Sequence, residues 1–149
     1  MLDDDSEYDA QCQQIREENG ALLGEFSGWL ADAGLSETTI KGHRLNVDFF
    51  VNHFLLYYDA LRPAEGIDSI AGFLGDWFIH KAAWSSVRSI KANAASLKKF
   101  YAFMAEKGRI KPEELAALNR QIKEERPEWL STMERYRDLD VDFDDVFSS

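Results

Sequence analysis

The side chains able to do acid–base, nucleophilic or metal chemistry are few and badly spaced for it. His43, His53 and His80 are the three histidines and Cys12 is the single cysteine. Each histidine falls within a helical pattern. None forms a His-Glu-x-x-His pair or joins a cysteine in zinc-ligand spacing, so they read as structural or surface groups. One cysteine excludes an internal disulfide and any Cys-x-x-Cys centre. Gly24-Glu25-Phe26-Ser27-Gly28 puts its serine one place off the Gly-x-Ser-x-Gly spacing of a nucleophile elbow, and no strand precedes it. No glycine-rich phosphate loop occurs. The pairs Glu113–Glu114 and Glu124–Glu125 lie on helical segments with nothing beside them to raise a pKa. The residues predict a protein that is not an enzyme and needs neither metal nor cofactor.

What does stand out is where the charge sits. Residues 1–35 set nine acids against Arg16, a net of −8; residues 36–111 carry a net of +4; residues 112–149 return to −6. The overall −10 therefore hides a basic middle between acidic ends. Within that middle, Arg88, Lys91, Lys98, Lys99, Lys107, Arg109 and Lys111 meet only Glu106. Clustered cations of this kind suit a polyanion such as nucleic acid, although a solvated helix face has the same composition.

These cations must be held by helices. No stretch alternates apolar and polar residues over a strand's length, and no Asn-Gly or Asp-Gly hairpin turn appears, the one such pair, Asn19-Gly20, lying within a helical pattern. The spacing predicts a first helix from Ser6 to Ala33, with Tyr8, Cys12, Ile15, Asn19, Leu22, Phe26 and Trp29 along one seam. Gly20, Gly24 and Gly28 recur on another face, as a close helix contact or a kink would require. Gly34 ends this helix, and Ser36 caps a second one running to Tyr58. A loop follows over Ala60–Ile67, then a third helix from Asp68 to Ala82 built on Ile70, Phe73, Leu74, Trp77 and Phe78. Ser85 or Ser86 caps the fourth, which carries Val87, Ile90, Ala94, Leu97, Tyr101 and Met104 inward and stops at Gly108. Pro112 opens a fifth helix and Pro127 a short sixth.

The expected fold class is thus an all-α, compact bundle of five to six helices. It forms a single domain over residues 1–137, followed by a mobile acidic tail over residues 138–149. No apolar run approaches the ~18–20 residues of a membrane helix. The acidic Met1–Tyr8 is the reverse of a secretion signal's start, which points to the cytoplasm. On the fourth helix, at 100° per residue, Arg88 and Lys99 lie within about 20° of each other, with Lys91 and Lys98 roughly 60–80° to one side. Ala92 and Ala95 among them would let the backbone approach a DNA groove. Lys41 and Arg44, near the start of the second helix, offer a smaller cationic site.

The same two helices carry a family resemblance. Trp29-Leu30-Ala31-Asp32-Ala33-Gly34-Leu35-Ser36-Glu37-Thr38-Thr39-Ile40, with Asn46-Val47-Asp48-Phe49-Phe50 after it, resembles the opening of the N-terminal, SAM-like core-binding domain of tyrosine recombinases (phage integrases). Ser85-Ser86-Val87-Arg88-Ser89-Ile90, Leu97-Lys98-Lys99-Phe100-Tyr101-Ala102-Phe103-Met104 and Gly108-Arg109-Ile110 resemble its later part, so the likeness spans residues 22–111. The resemblance implies a small all-helical unit that clamps one face of double-stranded DNA with its second and fourth helices. By position these are Ser36–Tyr58 and Ser85–Lys107.

A recombinase adds a catalytic domain supplying an arginine, a lysine, a His-x-x-Arg motif and a tyrosine nucleophile. Here 38 residues follow Lys111 without a histidine, and His80 leads into Lys81-Ala82-Ala83. The expectation is a free-standing, non-catalytic accessory factor in DNA recombination or integration. It would grip duplex DNA weakly by its backbone through Arg88, Lys91, Lys98 and Lys99, with Lys41 and Arg44 secondary. The rival expectation is a protein-interaction module that kept the fold and lost the DNA, meeting a recombinase or a second copy through the helix over residues 6–33. The acidic, apolar tail of residues 138–149 has two readings, a solvated, solubilising segment or a competitor with DNA for the basic face.

Overall fold

The computed structural model describes the backbone of residues 2–82 and 84–148, and side chains over residues 6–82 and 84–137. Its described residues form helices and connecting turns, without strands. There are five helical units among them: α1 (Leu2–Asp32), α2 (Glu37–Phe49), α3 (Ile70–Lys81), α4 (Val87–Glu106) and α5 (Pro112–Ser148). The last turn of α2 widens into a π turn, Phe50–Phe54. A 3-10 turn, Glu65–Ser69, leads into α3, whose middle is a second π turn, Phe73–Trp77.

The boundaries follow from local chemistry. Gly34 and Gly108 adopt positive φ, 89° and 73°, which ends α1 and α4 at little steric cost. Ser36 caps α2 by accepting from the Thr39 amide. For α4 the cap is Ser86, which exchanges hydrogen bonds with Ser89 in a reciprocal box. Pro127, expected to open a sixth helix, instead lies inside α5. A proline there removes the hydrogen bond to the carbonyl of residue 123. Pro127 and Lys123 are both exposed, so water can take that carbonyl. The tail over residues 138–149 was expected to be mobile; its side chains lie outside the described residues.

α4 is the centre of the bundle, packed against α2 on one side and α5 on the other, while α1 lies along α2. Phe26 of α1 meets Phe100 edge-on at 5.4 Å and Phe103 at 5.6 Å. The π turns face each other through Phe50 and Phe54, each 5.0 Å from Phe73. Tyr101 is buried in α4 and donates its hydroxyl to the Pro63 carbonyl at 2.7 Å, which fixes the loop after α2. The α1 seam is buried as Cys12, Ile15, Asn19, Leu23, Phe26 and Leu30. Leu22 and Trp29, expected in that seam, sit at its margin. A straight helix of 3.6 residues per turn drifts away from a seven-residue repeat, so the core takes the next residue along. Trp77 is likewise only partly buried. The three α1 glycines make no close contact: a Cβ added at Gly20, Gly24 or Gly28 would meet nothing within 4 Å.

Candidate nucleic-acid interface

Helix α4 divides into two arcs. Ile90, Asn93, Ala94, Ser96, Leu97, Phe100, Tyr101, Phe103 and Met104 are buried. This wide arc reflects the central position of the helix. Arg88, Lys91, Lys98 and Lys99 are all exposed on the remaining arc of roughly 120°, with exposed Ala92 and Ala95 among them. Glu106 is the acid on this side, and it accepts a hydrogen bond from the Trp29 indole of α1. Among the described residues, none of the four cations is in an ion pair. Beyond the end of the helix, Arg109 does pair, with Glu25 at 2.9 Å, and lies over the Phe103 ring.

The approach of α2 to this arc is set by a buried hydroxyl. Ser96 is fully buried; its Oγ accepts from Asn46 Nδ2 at 3.0 Å and lies 2.8 Å from His43 Nδ1. Both partners come from α2, one turn apart, so a polar staple joins the helices at their crossing. Burial holds the His43 pKa below its ordinary value, and the ammonium of Lys99 adds to the depression. Lys99 lies about 60° around α4 from Ser96, nearer to it than the other three cations, which sets it on the α2 side of the arc. Sequence reasoning set His43 aside and passed over Ser96. The available signal was a serine interrupting the apolar stripe between Ala94 and Leu97.

The expected secondary cations divide. Lys41 is exposed on α2 and outside any ion pair among the described residues. Arg44 turns toward α1, donating to Ser27 Oγ at 3.3 Å. One turn further, Asp48 accepts from Asn52 at 2.6 Å, and Asn52 in turn accepts from the buried Asn19 of α1 at 2.8 Å. The Arg44–Asp48 side of α2 thus faces α1, and the cationic surface is chiefly that of α4. The apolar seam of α1, considered above as a partner surface, is buried within the fold. Among the described residues, no cluster of His, Cys, Asp or Glu could hold a metal ion. No helix there is long and apolar enough to cross a membrane.

Comparison with known protein families, with characterised proteins and with solved structures finds no match to this chain.

Proposed function

We propose that this protein is a non-catalytic DNA-binding module of the integrase core-binding type, an accessory to recombination that grips the duplex weakly through its phosphates. The observation that supports it most is the exposed arc of α4, where Arg88, Lys91, Lys98 and Lys99 stand without ion-pair partners among the described residues. Charges already paired within the protein must give up a partner to take a phosphate; these four need not. Ala92 and Ala95 leave room for the backbone to approach, and Lys41 is a separate exposed cation on α2.

The test is duplex binding measured by fluorescence anisotropy across a salt series. Neutralising about four phosphates gives a slope of log K against log salt near −3.6. Lys98→Ala with Lys99→Ala should flatten it by up to ~2 units, from ~0.9 per phosphate. An unchanged slope in that double variant would remove α4 from the contact. Recovery of a covalent protein–DNA adduct would contradict the non-catalytic part. The net charge of −10 favours a second reading, a protein-interaction module on the same fold. No binding to duplex DNA even at low salt would select it.

A further inference from the structure

At the N-terminal end of α4 the surface changes character. A groove of about 560 Å³ opens between the first half of α1, the end of α2 and α3, lined by Phe49, Tyr57, Trp77 and Trp84 among others. Its rings are in mutual contact. Phe49 is 5.1 Å from Trp84 and 5.7 Å from Trp77, and Trp77 is 5.7 Å from Tyr57. Two of them face solvent, Tyr57 at 53% exposure and Trp84 at 58%, and neighbouring Tyr58 does so at 71%. Large aromatics left in water in a row are not explained by the core, which is complete without them. Trp77 adds a buried indole N–H with no acceptor among the described residues.

Both π turns border this groove: Phe49 precedes one, and Trp77 ends the other. Such single turns widen a helix, re-aim its side chains and recur at functional sites. The charges at the groove also point to a ligand. Arg16 and Lys81 line it against one acid, Asp9. Trp84 stands two residues before the α4 cap, so the groove lies at the N-terminal end of α4, the end that carries Arg88 and Lys91. From Lys99 back to Arg88 the cationic arc runs about 16 Å along the helix at 1.5 Å per residue.

A track of cations ending in an aromatic groove matches the two needs of single-stranded nucleic acid, phosphate neutralisation and a face on which bases stack. We propose that the groove between α1, α2 and α3 receives unpaired nucleotides, stacked on Trp84 and Tyr57, whose phosphates continue along the α4 arc. The inference rests on the DNA-binding reading above and names a second substrate class for it: duplex ends or junctions with single-stranded extensions.

The probe is a blunt duplex compared with the same duplex bearing a short oligothymidine tail, and with oligothymidine alone. The wild-type protein should bind the tailed duplex about tenfold more tightly than the blunt one, the size of one base–aromatic stack. Trp84→Ala should abolish that gain and leave blunt-duplex affinity unchanged. Trp84→Phe, which keeps a ring, should restore most of it, and Tyr57→Ala provides a second, equally exposed site should Trp84→Ala perturb the fold. Equal affinity of wild-type protein for blunt and tailed duplexes overturns this inference and leaves the duplex reading standing. No binding to any of the three DNAs overturns both. If Trp84→Ala instead abolishes self-association in sedimentation with no effect on the tail, the groove is a protein interface and the inference fails.

Discussion

Ser96 shows how one hydroxyl can set the relation between two helices. A buried donor or acceptor left unpaired costs about 1–3 kcal/mol, more than a typical hydrogen bond contributes when made. Ser96→Ala would leave Asn46 and His43 without their partner across the α2–α4 crossing. It is expected to destabilise the fold by about 1–2 kcal/mol in a urea titration, and it should weaken DNA binding wherever α2 contributes. His43 makes the same joint sensitive to pH. Its folded pKa lies below the ordinary 6.5, because burial and Lys99 disfavour the imidazolium. The unfolded chain therefore takes up a proton more readily. The stability contribution is complete above the unfolded value and is lost as pH falls through it toward the folded one. The groups facing His43 from α4 are Ser96 and Lys99. The expected result is a loss of stability between neutral pH and the folded pKa that is smaller in His43→Asn. Parallel pH profiles for the two proteins would contradict this.

Between elements, glycine serves opposite purposes in α1 and α3. In α1, an added Cβ at Gly20, Gly24 or Gly28 meets nothing within 4 Å, so only the cost of glycine in a helix remains. Alanine at each is expected to stabilise by roughly 1 kcal/mol, seen as a rise in Tm. Gly75, in the π turn of α3, is different: a Cβ there would fall 2.8 Å from Trp129 Cδ1 of α5. Trp129 is itself buried, so it has little room to yield. Gly75→Ala should destabilise by about 1–3 kcal/mol through overpacking. The same substitution thus changes sign with the neighbour it meets, and thermal melts of the four single variants would show it. The α4 cap is a third element-scale case. Ser86→Ala removes the hydroxyl that accepts from the Ser89 amide, while the Ser86 amide keeps its bond to Ser89 Oγ; the loss of the cap is expected to cost about 1 kcal/mol.

For the whole molecule, the proposed DNA face works against the overall charge. A protein at −10 is repelled by DNA at long range, and under the proposed function the local field of α4 would have to supply the attraction. Exposed acids away from the arc should therefore weaken binding without touching the ligand. Glu17→Gln with Glu124→Gln is expected to tighten duplex binding at low salt. The gain should vanish as the Debye length shortens to about 8 Å at physiological ionic strength. A gain that persists at high salt would mean the substitutions act by contact and not through the field. The core is also a property of the whole: one cluster of buried side chains draws on all five helices. Far-UV circular dichroism and tryptophan fluorescence should accordingly report coincident unfolding transitions.

Sequence alone determined the helical class, because the spacing of apolar residues by three and four is a one-dimensional record of burial on one face. It determined the caps at Ser36 and Gly34, which depend on neighbours within four residues, and the arc that groups Arg88, Lys91, Lys98 and Lys99, which depends on helix geometry alone. Tertiary structure decided whatever needed a second element. Pro127 continues α5 because its missing hydrogen bond falls on the solvent side. Arg44 leans to Ser27 of α1, and His43 of α2 is drawn to the buried Ser96 of α4. The same difference separates Leu22 from Leu23 in the α1 seam. Above all, the aromatic groove joins Trp84 to Phe49, Tyr57 and Trp77. Those residues lie in separate segments, of which the sequence marks only Trp77 as core, and only packing shows that rings such as Tyr57 and Trp84 remain in water.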